Sequence, residues 1–110
     1  MLYDTRMSGA LLKQENFQPF VGRQITIRDR GTALGELRLD QVEELPGDHR
    51  READGTACQP FSLLFTADPS FRLGQGNYEF LVGEDNAHVI FIVPVGPDRS
   101  GRMSYQAIFN

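Results

Sequence analysis

The chain reads as a mainly β protein, a small antiparallel barrel or sandwich of about six strands with one short N-terminal helix. Three observations point there. Apolar residues recur with period two from Arg23 onward, turn residues separate the runs at short and regular intervals, and only one early stretch shows helical spacing.

The helical stretch is SGALLKQENFQPFVG, where Leu11, Leu12, Phe17 and Phe20 or Val21 recur near a 3.6-residue period. Ser8 is a candidate N-cap, and Pro19 with Gly22 marks the expected stop. A narrow apolar stripe of this kind suits a helix that plugs one end of a sheet.

Ile25 and Ile27 then alternate with Gln24, Thr26 and Arg28, and Asp29-Arg30-Gly31-Thr32 supplies turn chemistry before Leu34, Leu37 and Leu39. This predicts a hairpin. The odd step from Leu34 to Leu37 places a bulge at Gly35, and Val42 and Leu45 break alternation again, so the second strand either bends or ends near Asp40. Residues 46–59, PGDHRREADGTACQ, have no period and read as a long loop, available for contact with a partner or for disorder.

PFSLLFTADP sets Phe61, Leu63 and Phe65 on one face and Leu64 on the other, and FRLGQGNYEFLVG sets Tyr78, Phe80 and Val82 opposite Leu81 after a Gly74-Gln75-Gly76 turn. HVIFIVPV is apolar on both faces, with Val89, Phe91 and Val93 against Ile90 and Ile92, which predicts a strand covered on both sides. His88 opens it as a strand-end residue facing water. Pro94 has no amide to give to a ladder and belongs at an edge or a bulge. The segment from Gly96 to Gly101 then turns the chain back, with Pro97 at the first corner and Gly101 in the left-handed conformation, so that Tyr105, Ala107 and Phe109 of the last strand complete the core.

At 110 residues the chain is expected to form one domain, 1–110, with residues 1–7 flexible. Its formal charge of -4 comes without a basic stripe, which argues against nucleic acid as a partner. The lone cysteine, Cys58, cannot form an internal disulfide, no run has the length of a membrane span, and no leader pattern is visible, so the expected compartment is the cytoplasm, away from membranes.

No set of residues converges on chemistry. His49 beside Asp48 lacks a positioned third group, Cys58 lacks a neighbour fixed to lower its pKa, and Ser62 lies in a strand without an elbow motif. Glu43, Glu44, Asp48, Glu52 and Asp54 do not follow the spacing of a calcium loop, and no His or Cys pair has zinc spacing. Gly74-Gln75-Gly76 precedes a strand and so lacks the helix N-terminus that holds a pyrophosphate. The expectation is therefore no catalytic residue, no cofactor and no metal. The segment His49, Arg50, Arg51 is the candidate partner-binding loop.

LPGD at 45–48, PFSLLF at 60–65, LGQGNYEF at 73–80 and FIVPVGPD through YQAIFN at the end resemble an uncharacterised family of small bacterial proteins of unknown function. The resemblance spans roughly residues 17–110. It implies an accessory or assembly role alongside phage-tail-like or fibre-like structural proteins, and it assigns no residue. Two functions are thus expected: a non-catalytic protein-binding or assembly module, whose partner is another protein or a second copy, or a small-molecule-binding barrel with Tyr78, Tyr105 and Arg102 as polar handles.

Overall fold

The computed structural model describes residues 13–46, 50–51, 57–58, 60–82 and 87–109, with backbone alone at 50–51 and 57–58. A single helical turn, α1 (Gln14–Phe17), runs into a 3-10 turn at Gln18–Phe20. The strands are β1 (Gln24–Asp29), β2 (Thr32–Glu44), β3 (Arg50–Arg51), β4 (Ala57–Cys58), β5 (Phe61–Ala67), β6 (Gly76–Leu81), β7 (Ala87–Pro97) and β8 (Met103–Phe109). Six of them close an antiparallel barrel in the order β1-β2-β5-β8-β7-β6, so the barrel alternative holds over the sandwich.

Two long strands do the closing. β2 pairs with β1 through its first half and with β5 through its second. β7 likewise pairs with β6 over Ala87–Ile92 and with β8 over Val93–Pro97. Each bends where its partner changes, and a bulge marks each bend. Asp40 is the extra residue in β2, which explains why Val42 falls out of step with Leu39: the strand bends there and continues. Val95 is the extra residue in β7, directly after Pro94. A third bulge, at Leu34 opposite the Ile27/Arg28 step, lifts Leu34 toward solvent while Leu37 and Leu39 stay in the core.

The β1–β2 turn has Arg30 at φ 52° and Gly31 at φ 82°, the paired positive values of a type I′ hairpin, whose twist matches that of the flanking strands. Glu79 secures this hairpin to β6 and so helps seal the barrel seam. Its Oε1 accepts from the Gly31 amide at 3.1 Å and lies 3.2 Å from Arg28 Nε.

Inside, Phe61, Leu63, Phe65, Ile25, Ile27, Leu37, Leu39, Phe80, Ile92 and Tyr105 are fully buried. Phe65 and Phe80 pack with ring centroids 4.9 Å apart across the interior. At one end Phe17 leans on Phe61 and Phe109, with centroids 6.0 and 5.7 Å away, while those two rings stack at 4.6 Å. A four-residue helix has no stability of its own. Burial of Phe17 in this aromatic trio holds it, and the Lys13 amide caps it by donating to Asn16 Oδ1 at 2.7 Å. The short plugging helix is thus present; Ser8, Leu11 and Leu12 lie outside the described residues, and Pro19 sits within the 3-10 turn instead of ending a longer helix.

Four expectations need correction. Residues 46–59 are not wholly without regular structure, because Arg50–Arg51 and Ala57–Cys58 pair as a two-stranded ribbon. β7 is not covered on both faces: Val89 and Phe91 stand in solvent, and the strand buried on both sides is β5, whose outward Ser62 and Thr66 are also covered. His88 is half-buried and shares the inward side of β7 with Ile90 and Ile92, opposite Phe80, instead of standing in water. Pro97 still pairs with Met103 inside the ladder, and the turn proper is Asp98-Arg99-Ser100-Gly101, closed by the Gly101 amide donating to the Asp98 carbonyl at 3.0 Å.

Candidate interaction surface

The structure distributes the residues singled out from sequence over separate parts of the fold. His49, Asp48, Glu52 and Asp54 lie outside the described residues. Arg50 and Arg51 lie on β3, with Cys58 and Ala57 as their backbone partners. Glu43 and Glu44 are exposed at the end of β2. Among the described residues no group of three His, Cys, Asp or Glu side chains is arranged to hold a metal ion.

Tyr78, Tyr105 and Arg102 do not converge on an open interior. The Tyr78 hydroxyl donates to the Gly74 carbonyl at 2.9 Å. The Tyr105 hydroxyl accepts from the Leu73 amide at 2.9 Å and donates to the Phe71 carbonyl at 3.4 Å, tying the loop after β5 to the barrel. Arg102 faces the other way. Its Nε donates to Thr66 Oγ1 on the outer wall at 3.1 Å.

That outer wall has two halves of opposite character. Registers place Arg38, Thr66 and Ser104 side by side across β2, β5 and β8. The bulge at Asp40 turns its carboxylate onto this row, where it takes a two-pronged contact from Arg38 Nε and Nη2 and a 2.9 Å hydrogen bond from the Thr66 hydroxyl. Burial pushes the Asp40 carboxyl up, but the hydrogen bonds from Arg38 and Thr66, with the charges of Arg38 and Arg102, outweigh that and hold it below its ordinary range. Hydrogen bonding to Asp40 and its charge raise the Arg38 guanidinium in turn. Nearby, Asp98 is held low by hydrogen bonds from Ser100 and the Arg102 amide, against a smaller push upward from burial. These bonds fasten β2 to β5 and β5 to the start of β8.

Beyond this row the wall turns apolar. Val93 pairs with Gln106, and Ile108 with Ser62, and the outward side chains of β7 follow alongside. Val89 is 67% exposed, Ile108 55%, Val95 52% and Phe91 47%. Four large apolar side chains on two neighbouring strands form a patch of the kind that marks a contact site. The signal for it was in the sequence, in the two-sided apolar run HVIFIVPV, but periodicity reports which residues are apolar and leaves open what covers them.

These features define a small closed antiparallel barrel with a filled interior, a fastened polar wall and an uncovered apolar stripe. The chain belongs to the DUF6916 family, a domain of unknown function, whose model matches residues 12–109. No curated protein matches the chain significantly, and neither does any solved structure. No described helix is long and apolar enough to cross a membrane.

Proposed function

We propose that the protein is a non-catalytic protein-binding or assembly module that docks through the outer face of β7 and β8. The observation carrying this reading is the exposure of Val89, Phe91, Val95 and Ile108 on adjoining strands. Leaving such side chains in water forgoes stabilisation of roughly 25 cal/mol per Å² of apolar surface, and covering them with another protein recovers it. The resemblance to small bacterial proteins associated with phage-tail-like and fibre proteins supports an accessory place in such a system, in the cytoplasm of a bacterium.

The other reading, a small-molecule-binding barrel, draws less support. Phe61, Phe65 and Phe80 occupy the interior, and the hydroxyls of Tyr78 and Tyr105 are engaged by backbone groups. Of the aromatic side chains placed on these strands, Phe91 alone points outward, and that favours a contact on the outside.

The test uses the tagged full chain with purified products of its neighbouring genes. Wild type should capture one of them, and Val95→Asp and Ile108→Asp, both at solvent-facing positions, should weaken capture at least about tenfold. Equal capture by wild type and variants would remove this face from the reading, and absence of capture would remove the reading itself.

A further inference from the structure

β7 offers more than apolar side chains. Over Ala87–Ile92 it pairs with β6 on one side, whereas β8 joins the other side only from Val93 onward. Among the described residues, none of Ala87–Ile92 has a register partner on the side away from β6. The matching corner of the barrel is treated differently. There the far end of β2 is met by α1, with Gln14 Nε2 donating to Glu44 Oε2 at 3.1 Å.

An uncovered strand edge is a template for another strand, and natural edges are usually guarded by a lysine, a proline or a bulge. β7 has none of these over its unpaired half. Pro94 and the Val95 bulge arrive only where β8 already supplies the partner. The whole strand, AHVIFIVPVGP, contains no Asp, Glu, Lys or Arg. A second copy of the strand therefore meets no like charge in spite of the chain's net charge of -4, and it brings an unpaired edge of the same length.

From these observations we infer that the partner of this edge is a second copy of the chain, bound by antiparallel pairing of β7 with β7 about a two-fold axis at Ile90. This deepens the assembly reading and rests on it. The axis sets Val89 of one protomer across from Phe91 of the other, twice, so the two most outward side chains of the unpaired half become cross-strand aromatic and β-branched pairs. Strands β2, β1, β6 and β7 of each protomer join into one sheet running through both barrels. An edge contact of this size belongs with the smaller interfaces, and the expected affinity is roughly micromolar.

Light scattering on the full chain after size exclusion, over a range of loading concentrations, should show a mass rising to twice the monomer. Phe91→Glu should weaken the dimer at least about tenfold, and Val89→Lys combined with Phe91→Glu should restore it, because each lysine then faces a glutamate across the axis. Circular dichroism checks that every variant keeps the wild-type fold, as expected for exposed positions. A monomeric mass at every concentration overturns the inference. So does a dimer that Phe91→Glu leaves unchanged, or a double variant no better than the single one. If the chain is monomeric yet still captures a neighbouring gene product, the dimer alone falls; if it is monomeric and captures nothing, the assembly reading falls with it.

Discussion

A Cβ on Gly35 would stand 2.9 Å from Cε1 and Cζ of Phe71, so the side-chain-free backbone of β2 serves as the seat of a ring from the loop after β5. Phe71 packs against the core from there. Gly35 also follows the Leu34 bulge, which is why a glycine in mid-strand is tolerated. Gly35→Ala should destabilise by about 1–2 kcal/mol by displacing the ring. The share due to the ring should vanish in a Phe71→Ala background while the share due to a β-carbon at φ 157° remains, giving a clear coupling in a double-mutant cycle followed by urea unfolding. Additive costs would mean that the two residues do not share the site.

Tyr105 performs a second anchoring task for the same loop. Its ring is buried in the core and its hydroxyl is the acceptor for the Leu73 amide. Tyr105→Phe keeps the ring and leaves that amide without its partner, which should cost about 1–2 kcal/mol. Amide exchange at Leu73 should accelerate by at least about tenfold while exchange in β5 and β8 follows the global stability change only. Unchanged exchange at Leu73 would show the loop to be held by Phe71 alone.

How far the residues announced the fold depends on whether their pattern was local. Ile25, Ile27, Leu37 and Leu39 alternate within their own strands, and the Arg30-Gly31 turn is written in two residues, so the hairpin was legible. A bulge in this stretch was legible from an odd step between leucines, although it falls at Leu34, one residue before the Gly35 that was expected to mark it. Asp40 was not: its extra position can be seen in Val42 falling out of phase, but its contacts with Arg38 and Thr66 depend on β5 lying alongside. The exposed face of β7 was not legible for a related reason. Val89 and Phe91 belong to an apolar run whose coverage is a property of the whole barrel, and no local period encodes which half of β7 has a neighbour. His49 lies outside the described residues, and of the segment expected to bind a partner the structure shows the backbone pairing of Arg50 and Arg51 with Cys58 and Ala57.

Thr66 links two charged residues through one buried hydroxyl, donating to Asp40 and accepting from Arg102. Thr66→Val removes both bonds at nearly constant volume and should lower stability by about 1–2 kcal/mol at neutral pH. The Asp40 carboxyl is held below its ordinary value of 3.8 in the fold, so its stabilising contribution is complete above that value and is lost as pH falls through the native pKa. The gap between wild type and Thr66→Val should accordingly narrow in that acidic window. Denaturant midpoints measured at neutral and acidic pH check this, and a gap independent of pH would mean that the hydroxyl does nothing for the carboxylate.

His88 gives the opposite-signed case. Burial on the inward side of β7, across from Phe80, disfavours its imidazolium and lowers its pKa from the ordinary 6.5. Above that value the ring is neutral in both folded and unfolded chains and costs nothing. As pH falls below it, the unfolded chain takes up a proton that the fold resists, so stability declines until the native pKa is reached and then levels off. His88→Gln removes this titration. Because His49 is common to both proteins, the difference between their denaturant midpoints should isolate His88, growing in favour of the variant as pH drops below 6.5. A difference that stays constant through that window would mean that the ring reaches water freely in the folded protein.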